Sequence, residues 1–263
     1  MLAAERRNRV LQEVRRKGEV QVQALARELG VSAMTVRRDL AWLERAGLIR
    51  RIHGGAVDPR LMVQEVPLRR KASRNREEKR AVGRLAASLV HAGETVILDA
   101  GSTVLEAARA LDVRPLKVVT NDLVTALELA DRPDLTLYVT GGQVRPQVYS
   151  VQGAPASSFL EGIRVHVAFL GTDGIDPDEG IFTTNLEKVA VKRAMIQAAD
   201  RTYVLADATK LGTRGFARVA AAHEVTGIIT TDRAPARVIE ALRELGLEVL
   251  LAPADPGPGG DEG

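Results

Sequence analysis

The segment Val31–Leu40, with the sequence VSAMTVRRDL, constrains the fold of this chain more than any other feature. Ser32 is a favourable N-cap, because its hydroxyl can accept a hydrogen bond from a free amide of the first helical turn. Apolar residues then recur at helical spacing and mark one buried stripe: Val36, Leu40 and Leu43. Gly30 permits the left-handed turn by which two helices cross. The pattern predicts a helix-turn-helix at about residues 20–39, whose second helix runs to about Arg45.

This second helix presents basic side chains in a form that suits DNA. Arg37 and Arg38 lie near its start, and guanidinium groups in a major groove can pair with guanine or clamp phosphate. Trp42 is interpreted as a partly buried anchor beside the first helix, with base stacking as the alternative. Residues 48–52 and the turn His53–Gly55 then describe a wing that can contact phosphate or the minor groove. The residues expected to contact DNA are Ser32, Met34, Thr35, Arg37, Arg38, Arg50, Arg51 and His53.

Charge divides the chain into two unlike parts. Residues 1–80 contain 20 Lys+Arg and 10 Asp+Glu, a net charge of +10. Of the 37 basic and 34 acidic residues in the whole chain, 17 and 24 remain, so the rest carries −7. A basic front and an acidic remainder predict a nucleic-acid-binding domain joined to a domain of another kind.

Composition also excludes several classes of protein. The absence of cysteine excludes disulfides and thiolate chemistry. No apolar run approaches the roughly 18 residues of a membrane span, and the first residues lack the pattern of a signal peptide. We therefore expect a cytoplasmic protein without membrane contact. Neither a metal nor a cofactor is expected, because the histidines have no ligand spacing; they are His53, His91, His166 and His223.

Helix-breaking residues and apolar periodicity indicate the domain boundaries. Residues 3–57 predict the winged helix-turn-helix domain, with earlier helices at 5–16 and 22–29. Residues 58–74, rich in proline and basic side chains, read as a linker with poor helix and strand signals. The run Arg69-Arg70-Lys71 within it is interpreted as a solvated hinge, with phosphate contact as the alternative.

The remainder alternates strands with helices, which indicates a doubly wound, parallel α/β domain over residues 75–252. Residues 253–263, rich in proline and glycine, predict a disordered tail. The predicted strands are Thr95–Leu98, Lys117–Thr120, Thr136–Thr140, His166–Leu170, Tyr203–Ala206, Gly227–Thr230 and Glu248–Leu251. The predicted helices of this domain are Lys79–Val90, Val104–Leu111, Leu123–Ala130, Leu186–Ala199 and Arg237–Leu245.

Polar, glycine-rich loops follow five of these strands. Ligands of open α/β sheets bind beyond the carboxyl ends of the strands, so these loops predict one shared site. Asp99–Thr103 offers backbone amides, two hydroxyls and a helix N-terminus, which together predict a phosphate cradle. The same residue types also serve as ordinary caps and turns, and Lys188 with Lys192 can form a solvated helix face. The residues expected to bind the ligand are Asp99, Gly101, Ser102, Thr103, Thr120, Asn121, Gly141, Gly142, Asp173, Gly174, Lys188 and Lys210.

From about residue 5 to residue 251 the chain resembles a DeoR-type transcriptional regulator. The N-terminal resemblance rests on Leu25-Ala26, Val31-Ser32, Thr35–Leu40, Leu43, Gly47 and Arg51–Ala56. The C-terminal resemblance rests on Asp99–Thr103, Thr120-Asn121, Gly141-Gly142, Gly171–Gly174 and Asp207–Lys210. Ala33 departs from the family pattern, where relatives often carry a larger or charged residue, and this leaves the operator sequence open.

The resemblance implies a sensor domain similar in fold to ribose-5-phosphate isomerase that binds a phosphorylated sugar. It implies a repressor of a sugar-metabolism operon that binds double-stranded operator DNA as a homodimer or homotetramer and is released by the sugar phosphate. In that setting Asp99 is expected on the sugar hydroxyls, since it would repel a phosphate at close range.

The isomerase resemblance also supplies an alternative, a sugar-phosphate isomerase that carries a DNA-binding domain. Such an enzyme needs a carboxylate to move a proton and a positive group near the developing enediolate oxygen. Asp173, Asp176, Glu187 and Lys188 fall in the corresponding segments. However, the isomerase's Lys-Gly-Gly-Gly stretch is replaced by Pro177–Gly180, whose Glu179 would repel the enediolate. A binding pocket that lost the chemistry is therefore expected, and not an enzyme.

Overall fold

The computed structural model describes residues 3–17, 19–52, 54–57 and 66–253. The chain separates into two compact units, Met1–Gln64 and Glu65–Gly263. Each is described by itself below.

The N-terminal unit consists of three helices and a small antiparallel sheet of order β1-β3-β2. Its elements are α1 (Ala3–Lys17), β1 (Glu19–Gln21), α2 (Val22–Leu29), α3 (Ala33–Arg45), β2 (Arg50–Ile52) and β3 (Gly55–Val57). The predicted helices are confirmed, and the wing is the β2–β3 pair. Strand β1 was not predicted, because three residues are too few to show an alternating pattern. The core of this unit includes Val10, Val14, Leu25, Val36, Leu40 and Leu43.

Local geometry at the helix-turn-helix agrees with the sequence argument. Gly30 has a φ of 65°, the left-handed conformation that the turn requires. Ser32 caps α3, because its Oγ accepts a hydrogen bond of 3.1 Å from the Thr35 amide. Trp42 is 42 % exposed, and the guanidinium carbon of Arg7 lies 4.5 Å from its ring centroid, as an anchor beside α1 requires.

The C-terminal unit is built on one seven-stranded sheet. Its helices are α4 (Leu68–Ser73), α5 (Arg76–Ala87), α6 (Ser102–Ala110), α7 (Leu123–Leu129), α8 (Ala154–Glu161), α9 (Leu186–Ala198) and α10 (Ala236–Glu244). The strands of the sheet are β4 (Thr95–Leu98), β5 (Leu116–Thr120), β6 (Leu135–Val139), β9 (Val165–Gly171), β12 (Ala199–Leu205), β14 (Gly227–Thr231) and β15 (Glu248–Ala252). Short strands form two smaller sheets: β7 (Gln143–Val144), β8 (Val151–Gln152), β10 (Gly174–Asp176), β11 (Gly180–Thr183) and β13 (Ala217–Ala220).

The order of the main sheet is β15-β14-β12-β9-β4-β5-β6, and every neighbouring pair is parallel. The chain first runs outward from β4 to β6, and then returns to the other side of β4 to continue with β9. Two buried apolar clusters, one that includes α5 and α6 and one that includes α8 and α9, cover the sheet. The predicted doubly wound fold is confirmed, with its topological switch point between β4 and β9.

The structure differs from the sequence prediction in the segment read as a linker. Helix α4 stands at Leu68–Ser73, where no helix was predicted, and this prediction was wrong. A six-residue helix with one buried apolar side chain, Leu68, shows no periodicity. Pro67 precedes the helix, where a missing N–H does no harm. Residues 58–65, and all of the predicted tail after Pro253, lie outside the described residues.

Candidate functional site

The recognition helix α3 exposes two adjacent guanidinium groups. Arg37 and Arg38 are both exposed, and within the described residues neither has a hydrogen-bond or ion-pair partner. Met34, one turn earlier on the same surface, is 61 % exposed. The hydroxyls of Ser32 and Thr35 lie 2.9 Å apart and belong to the cap, so they hold the start of the helix. The exposed arginines can therefore meet bases or phosphates directly.

Asp39, on the same helix, faces the opposite way. Its side chain is 2 % exposed and lies 2.5 Å from Arg6 Nε and 3.2 Å from Arg7 Nε. A buried carboxylate needs such partners, because an unpaired charge in an apolar core is costly. Asp39 therefore fixes α1 against the recognition helix. Sequence reasoning missed this role, although the spacing from Val36 and Leu43 places Asp39 on the buried stripe.

The wing residues have three different outcomes. Arg51 is engaged by Glu44, with 2.6 Å between Arg51 Nε and a carboxylate oxygen of Glu44. Arg50 lies in β2, but its side chain is outside the described residues, as is the whole of His53.

In the C-terminal unit, the loops after β4 and β9 meet at the switch point. Asp99 is 1 % exposed, and its Oδ2 accepts hydrogen bonds from the Gly171 amide at 3.0 Å and from Lys192 Nζ. Lys192 Nζ also donates to the Gly171 carbonyl oxygen at 2.7 Å. Asp99 is thus part of a buried ion pair that joins the two loops, a supporting role that the sequence did not predict.

The start of α6 has the features of an anion site. Gly101 has a φ of 149°, and a Cβ atom added there would meet nothing within 4 Å. Ser102 and Thr103 are 6 % and 8 % exposed, and neither hydroxyl has a hydrogen-bond partner among the described residues. Two hydroxyls and the first amides of a helix can together bind a phosphate.

Thr120 ends β5 and Asn121 follows it, and both side chains are buried. The Thr120 hydroxyl donates to the Leu98 carbonyl at 2.7 Å and accepts from the Asp122 amide at 3.1 Å. Asn121 donates to the Val151 carbonyl at 3.3 Å. These contacts hold the strand ends together and leave the Thr120 hydroxyl fully engaged.

Two of the predicted glycines, Gly142 and Gly174, stand where a side chain would not fit. A Cβ atom on Gly142 would lie 2.4 Å from the Gln152 carbonyl oxygen, and one on Gly174 would lie 2.6 Å from that of Thr213. Gly141 is exposed. Gly142 and Gly174 therefore permit close approach of the loops, whereas a Cβ atom on Gly141 would make only an ordinary contact, 3.8 Å from Pro155.

Asp173, after β9, lies within a group of lysines. Its Oδ1 accepts a hydrogen bond of 2.7 Å from Lys71 Nζ, and its Oδ2 accepts one of 3.2 Å from the Thr184 amide. Burial alone would raise the pKa of Asp173, but the positive charges of Lys71, Lys188 and Lys210 hold it well below its ordinary value. The structure thus brings together the predicted Asp173, Lys188 and Lys210, and adds Lys71 from the supposed linker.

Lys210 differs from the other lysines of this group. It is half-buried, and its ammonium group has no hydrogen-bond or ion-pair partner within the described part of the chain. An ammonium group held near a carboxylate but bonded to none is able to bind an anion.

No helix in the described ranges is long and apolar enough to cross a membrane.

Both units match family models of known proteins. The family model described as the DeoR-like helix-turn-helix domain matches residues 6–60, and the DeoR C terminal sensor domain matches residues 74–232. The regulator GolR of Listeria innocua is 32 % identical over 253 residues, which cover 96 % of this chain and 100 % of GolR. The putative aga operon transcriptional repressor of Escherichia coli is 34 % identical over 251 residues, or 94 % of this chain and 93 % of the relative.

Among solved structures, ribose 5-phosphate isomerase A of Methanocaldococcus jannaschii is 17 % identical, with a TM-score of 0.38 over 52 % of this chain and 54 % of the isomerase. A likeness of that size supports no argument about chemistry. The family models and the relatives agree along nearly the whole chain. This chain belongs to the DeoR family of transcriptional regulators, and it is a DNA-binding regulator and not an isomerase.

Proposed function

We propose that this regulator represses a sugar-metabolism operon and leaves its operator when a phosphorylated sugar binds at the carboxyl edge of the main sheet. The observation that carries the proposal is the half-buried Lys210 ammonium group without an anionic partner among the described residues. It lies at the same edge of the sheet as the unpartnered hydroxyls of Ser102 and Thr103. This combination suits a phosphate group.

Within this proposal the predicted site residues have different tasks. The hydroxyls of Ser102 and Thr103, the first amides of α6 and Lys210 bind the phosphate, and the open space at Gly101 admits it. Lys188 and Asp173 lie beside it. The remaining predicted residues shape the loops from behind: Asp99, Thr120, Asn121, Gly141, Gly142 and Gly174.

Release from DNA then follows from thermodynamic linkage. The effector must bind the DNA-free arrangement more tightly than the DNA-bound one, and DNA must weaken effector binding by the same factor. We further propose a homodimer or homotetramer on double-stranded operator DNA, since helix-turn-helix proteins read paired half-sites with paired recognition helices. A regulator of this kind works where its operator is, so we place it in the cytoplasm.

The first experiment is a thermal-shift screen of the full chain. Hexose and pentose phosphates are compared with the same sugars without phosphate and with inorganic phosphate. A compound that binds only the folded protein raises its melting temperature in proportion to the logarithm of concentration over Kd. We expect phosphorylated sugars to shift the transition of the C-terminal unit, and their unphosphorylated forms to leave it in place.

The second experiment removes the proposed phosphate partner. Lys210→Ala should weaken binding of the selected sugar phosphate by about 1.5–3 kcal/mol, the worth of a hydrogen bond to a charged group. Lys117→Ala is the matched control, because Lys117 is an exposed lysine on β5. Gly101 is a poor test position, since its φ of 149° would strain any side chain. Release of the Lys210→Ala variant from operator at the wild-type effector concentration would place the phosphate elsewhere.

A further inference from the structure

We propose that Lys71 is an effector-contacting residue, and that the effector's phosphate displaces Asp173 as its partner and thereby moves α4. This inference rests on the proposed function and names the residue by which the site acts on the rest of the chain. Helix α4 is the first described element of the C-terminal unit, and the chain that precedes it leads to the DNA-binding unit. A change in the position of α4 therefore acts on that connection.

Helix α4 is held at both ends by contacts that involve few residues. Leu68 is buried, and its amide donates to the Gln147 carbonyl at 3.0 Å. At the other end, the buried Lys79 Nζ donates to the Lys71 carbonyl and to the Arg74 carbonyl, the latter at 2.6 Å. The Lys71 carbonyl also accepts the amide of the C-cap residue Arg74 at 3.3 Å, so Lys79 ties the end of the helix and its C-cap to α5. The backbone of α4 is thus held at both ends, whereas Leu68 is the one side chain of this helix that is buried.

One side chain of α4 reaches the effector site. Lys71 Nζ lies 2.7 Å from Asp173 Oδ1, and the side chains of Lys71 and Asp173 are 21 % and 7 % exposed. The adjacent Arg69 and Arg70 are exposed, and their guanidinium groups have no partners among the described residues. The solvated reading of this basic run therefore fits the two arginines but fails for Lys71.

The turn after α4 is attached to the same edge of the sheet. Asn75 adopts the left-handed conformation with a φ of 50°, and its Nδ2 donates to Asp207 Oδ1 at 3.0 Å. Lys79 Nζ lies 4.0 Å from Asp207 Oδ2. Asp207 opens the loop that contains Lys210, so α4 contacts the loop after β9 through Lys71, and the turn after α4 contacts the loop after β12 through Asn75.

Charge explains why an anion would compete for Lys71. Against the effect of burial, the positive charges of Lys71, Lys188 and Lys210 lower the pKa of Asp173. Burial lowers the pKa of Lys79, and the charges of Lys210 and Lys71 lower it further. An anion placed near Asp173 would therefore be attracted by several positive charges at once. A phosphate beside Lys210 attracts Lys71 and repels the Asp173 carboxylate, which favours exchange of partners. A neutral sugar has neither effect.

The test compares Lys71→Gln with Arg70→Gln in the full chain. Both variants remove one positive charge from α4, but only Lys71 contacts Asp173. The probes are the sugar phosphate selected by thermal shift, and inorganic phosphate as the minimal anion. For each protein, operator affinity is measured with and without the probe, and the ratio of the two affinities is the coupling factor. Lys71→Arg keeps the charge and serves as the conservative variant.

We expect Lys71→Gln to bind the sugar phosphate at least tenfold more weakly and to have a coupling factor close to one. Arg70→Gln should match the wild type, and Lys71→Arg should recover most of the coupling. Hydrogen exchange of the peptide that spans α4 should rise on addition of the probe in the wild type and stay unchanged in Lys71→Gln.

Two outcomes would overturn the inference and separate it from the proposed function. If sugar phosphate releases the wild type and Lys71→Gln equally, the proposed function stands and Lys71 has no part in it. If Lys71→Gln only melts at a lower temperature, with wild-type coupling, its role is structural and the inference fails. Failure of every sugar phosphate to bind the wild type would refute the proposed function itself, and this inference with it.

Discussion

The two units use basic side chains in opposite ways. In the N-terminal unit, Arg37 and Arg38 stand exposed without partners among the described residues. In the C-terminal unit, Lys71 and Lys192 are held against Asp173 and Asp99 within the protein. A DNA backbone is a large surface charge that exposed cations meet directly. A small anion at the C-terminal site instead meets cations that, Lys210 apart, are already paired, so we expect its binding to exchange partners inside the protein.

The same contrast exists within the N-terminal unit. Arg6 and Arg7 bond to the buried Asp39, and Arg7 also covers the ring of Trp42. They lie in the same basic half of the chain as Arg37 and Arg38, yet they stabilise the fold. Partners, and not residue type, separate the arginines that build this unit from those that are available to DNA.

The strongest test of the comparison is the buried pair of Asp99 and Lys192. Lys192→Ala leaves a carboxylate that is 2 % exposed without its cation, which should cost about 3–5 kcal/mol of unfolding free energy. Urea denaturation followed by far-UV circular dichroism measures this loss. Lys117→Ala, an exposed lysine, should change stability by less than about 0.5 kcal/mol. A loss in Lys192→Ala no larger than in this control would mean that the pair is not part of the framework.

Asp122 sharpens the comparison, because it is a buried carboxylate whose hydrogen-bond donors are uncharged. Burial raises its pKa to about 6 from an ordinary 3.8, against hydrogen bonds from Val124, Gly101 and Thr125 and with a further rise from the charge of Asp99. Well below pH 3.8 the carboxyl group is protonated in both the folded and the unfolded state, so stability does not depend on its titration there. Between pH 4 and 6 the unfolded chain loses its proton first, so stability falls as pH rises, by about 3 kcal/mol in all.

The measurement is the unfolding free energy of the wild type and of Asp122→Asn between pH 4 and pH 7. The variant has no proton to lose at this position, so the difference between the two proteins should grow in its favour through this range. Other carboxylates, such as Asp173, titrate in both proteins and cancel. Parallel curves would show that Asp122 is not neutral in the folded protein at low pH.

The sequence predicted the features that repeat or that lie close together in the chain. Helix α2 and strand β4 have the predicted bounds. The polar loops of the C-terminal unit follow the strands after which they were predicted. Apolar periodicity and glycine turns are local signals that a sequence shows directly. A parallel sheet brings the carboxyl ends of its strands to one edge, whatever the order of the strands. The existence of a shared polar edge could therefore be derived from the sequence.

Contacts between distant residues could not be derived in this way. Lys71 and Asp173 are 102 positions apart, Asn75 and Asp207 are 132 apart, and no local pattern joins them. Asp99 is an example: its place after a strand predicts a ligand contact, but it does not reveal the bonds of its Oδ2 to Gly171 and Lys192. Residue type and spacing identify candidates, but only the fold shows which of them already has a partner inside the protein.

The smallest expected change in free energy is that of replacing an exposed arginine of α3. Such a replacement should change the affinity for operator DNA and leave the stability of the fold unchanged. Arg37→Ala or Arg38→Ala should cost about 1–3 kcal/mol of operator binding if the guanidinium group pairs with a base, and relax specificity at that base pair. A contact to phosphate alone would weaken binding evenly across sequences and reduce its salt dependence. Neither variant should change the unfolding transition, because neither side chain has a partner in the described structure.

Trp42 makes the distinction measurable. It is the chain's one tryptophan, so its fluorescence reports unfolding of the N-terminal unit alone. Arg7→Ala, which removes the bond to Asp39 and the contact with the Trp42 ring, should lower that transition. Arg233→Ala, an exposed arginine of the C-terminal unit, controls for the change in net charge and should leave operator affinity unchanged. Wild-type operator affinity in both Arg37→Ala and Arg38→Ala, with the fluorescence transition intact, would refute the assignment of these arginines to DNA.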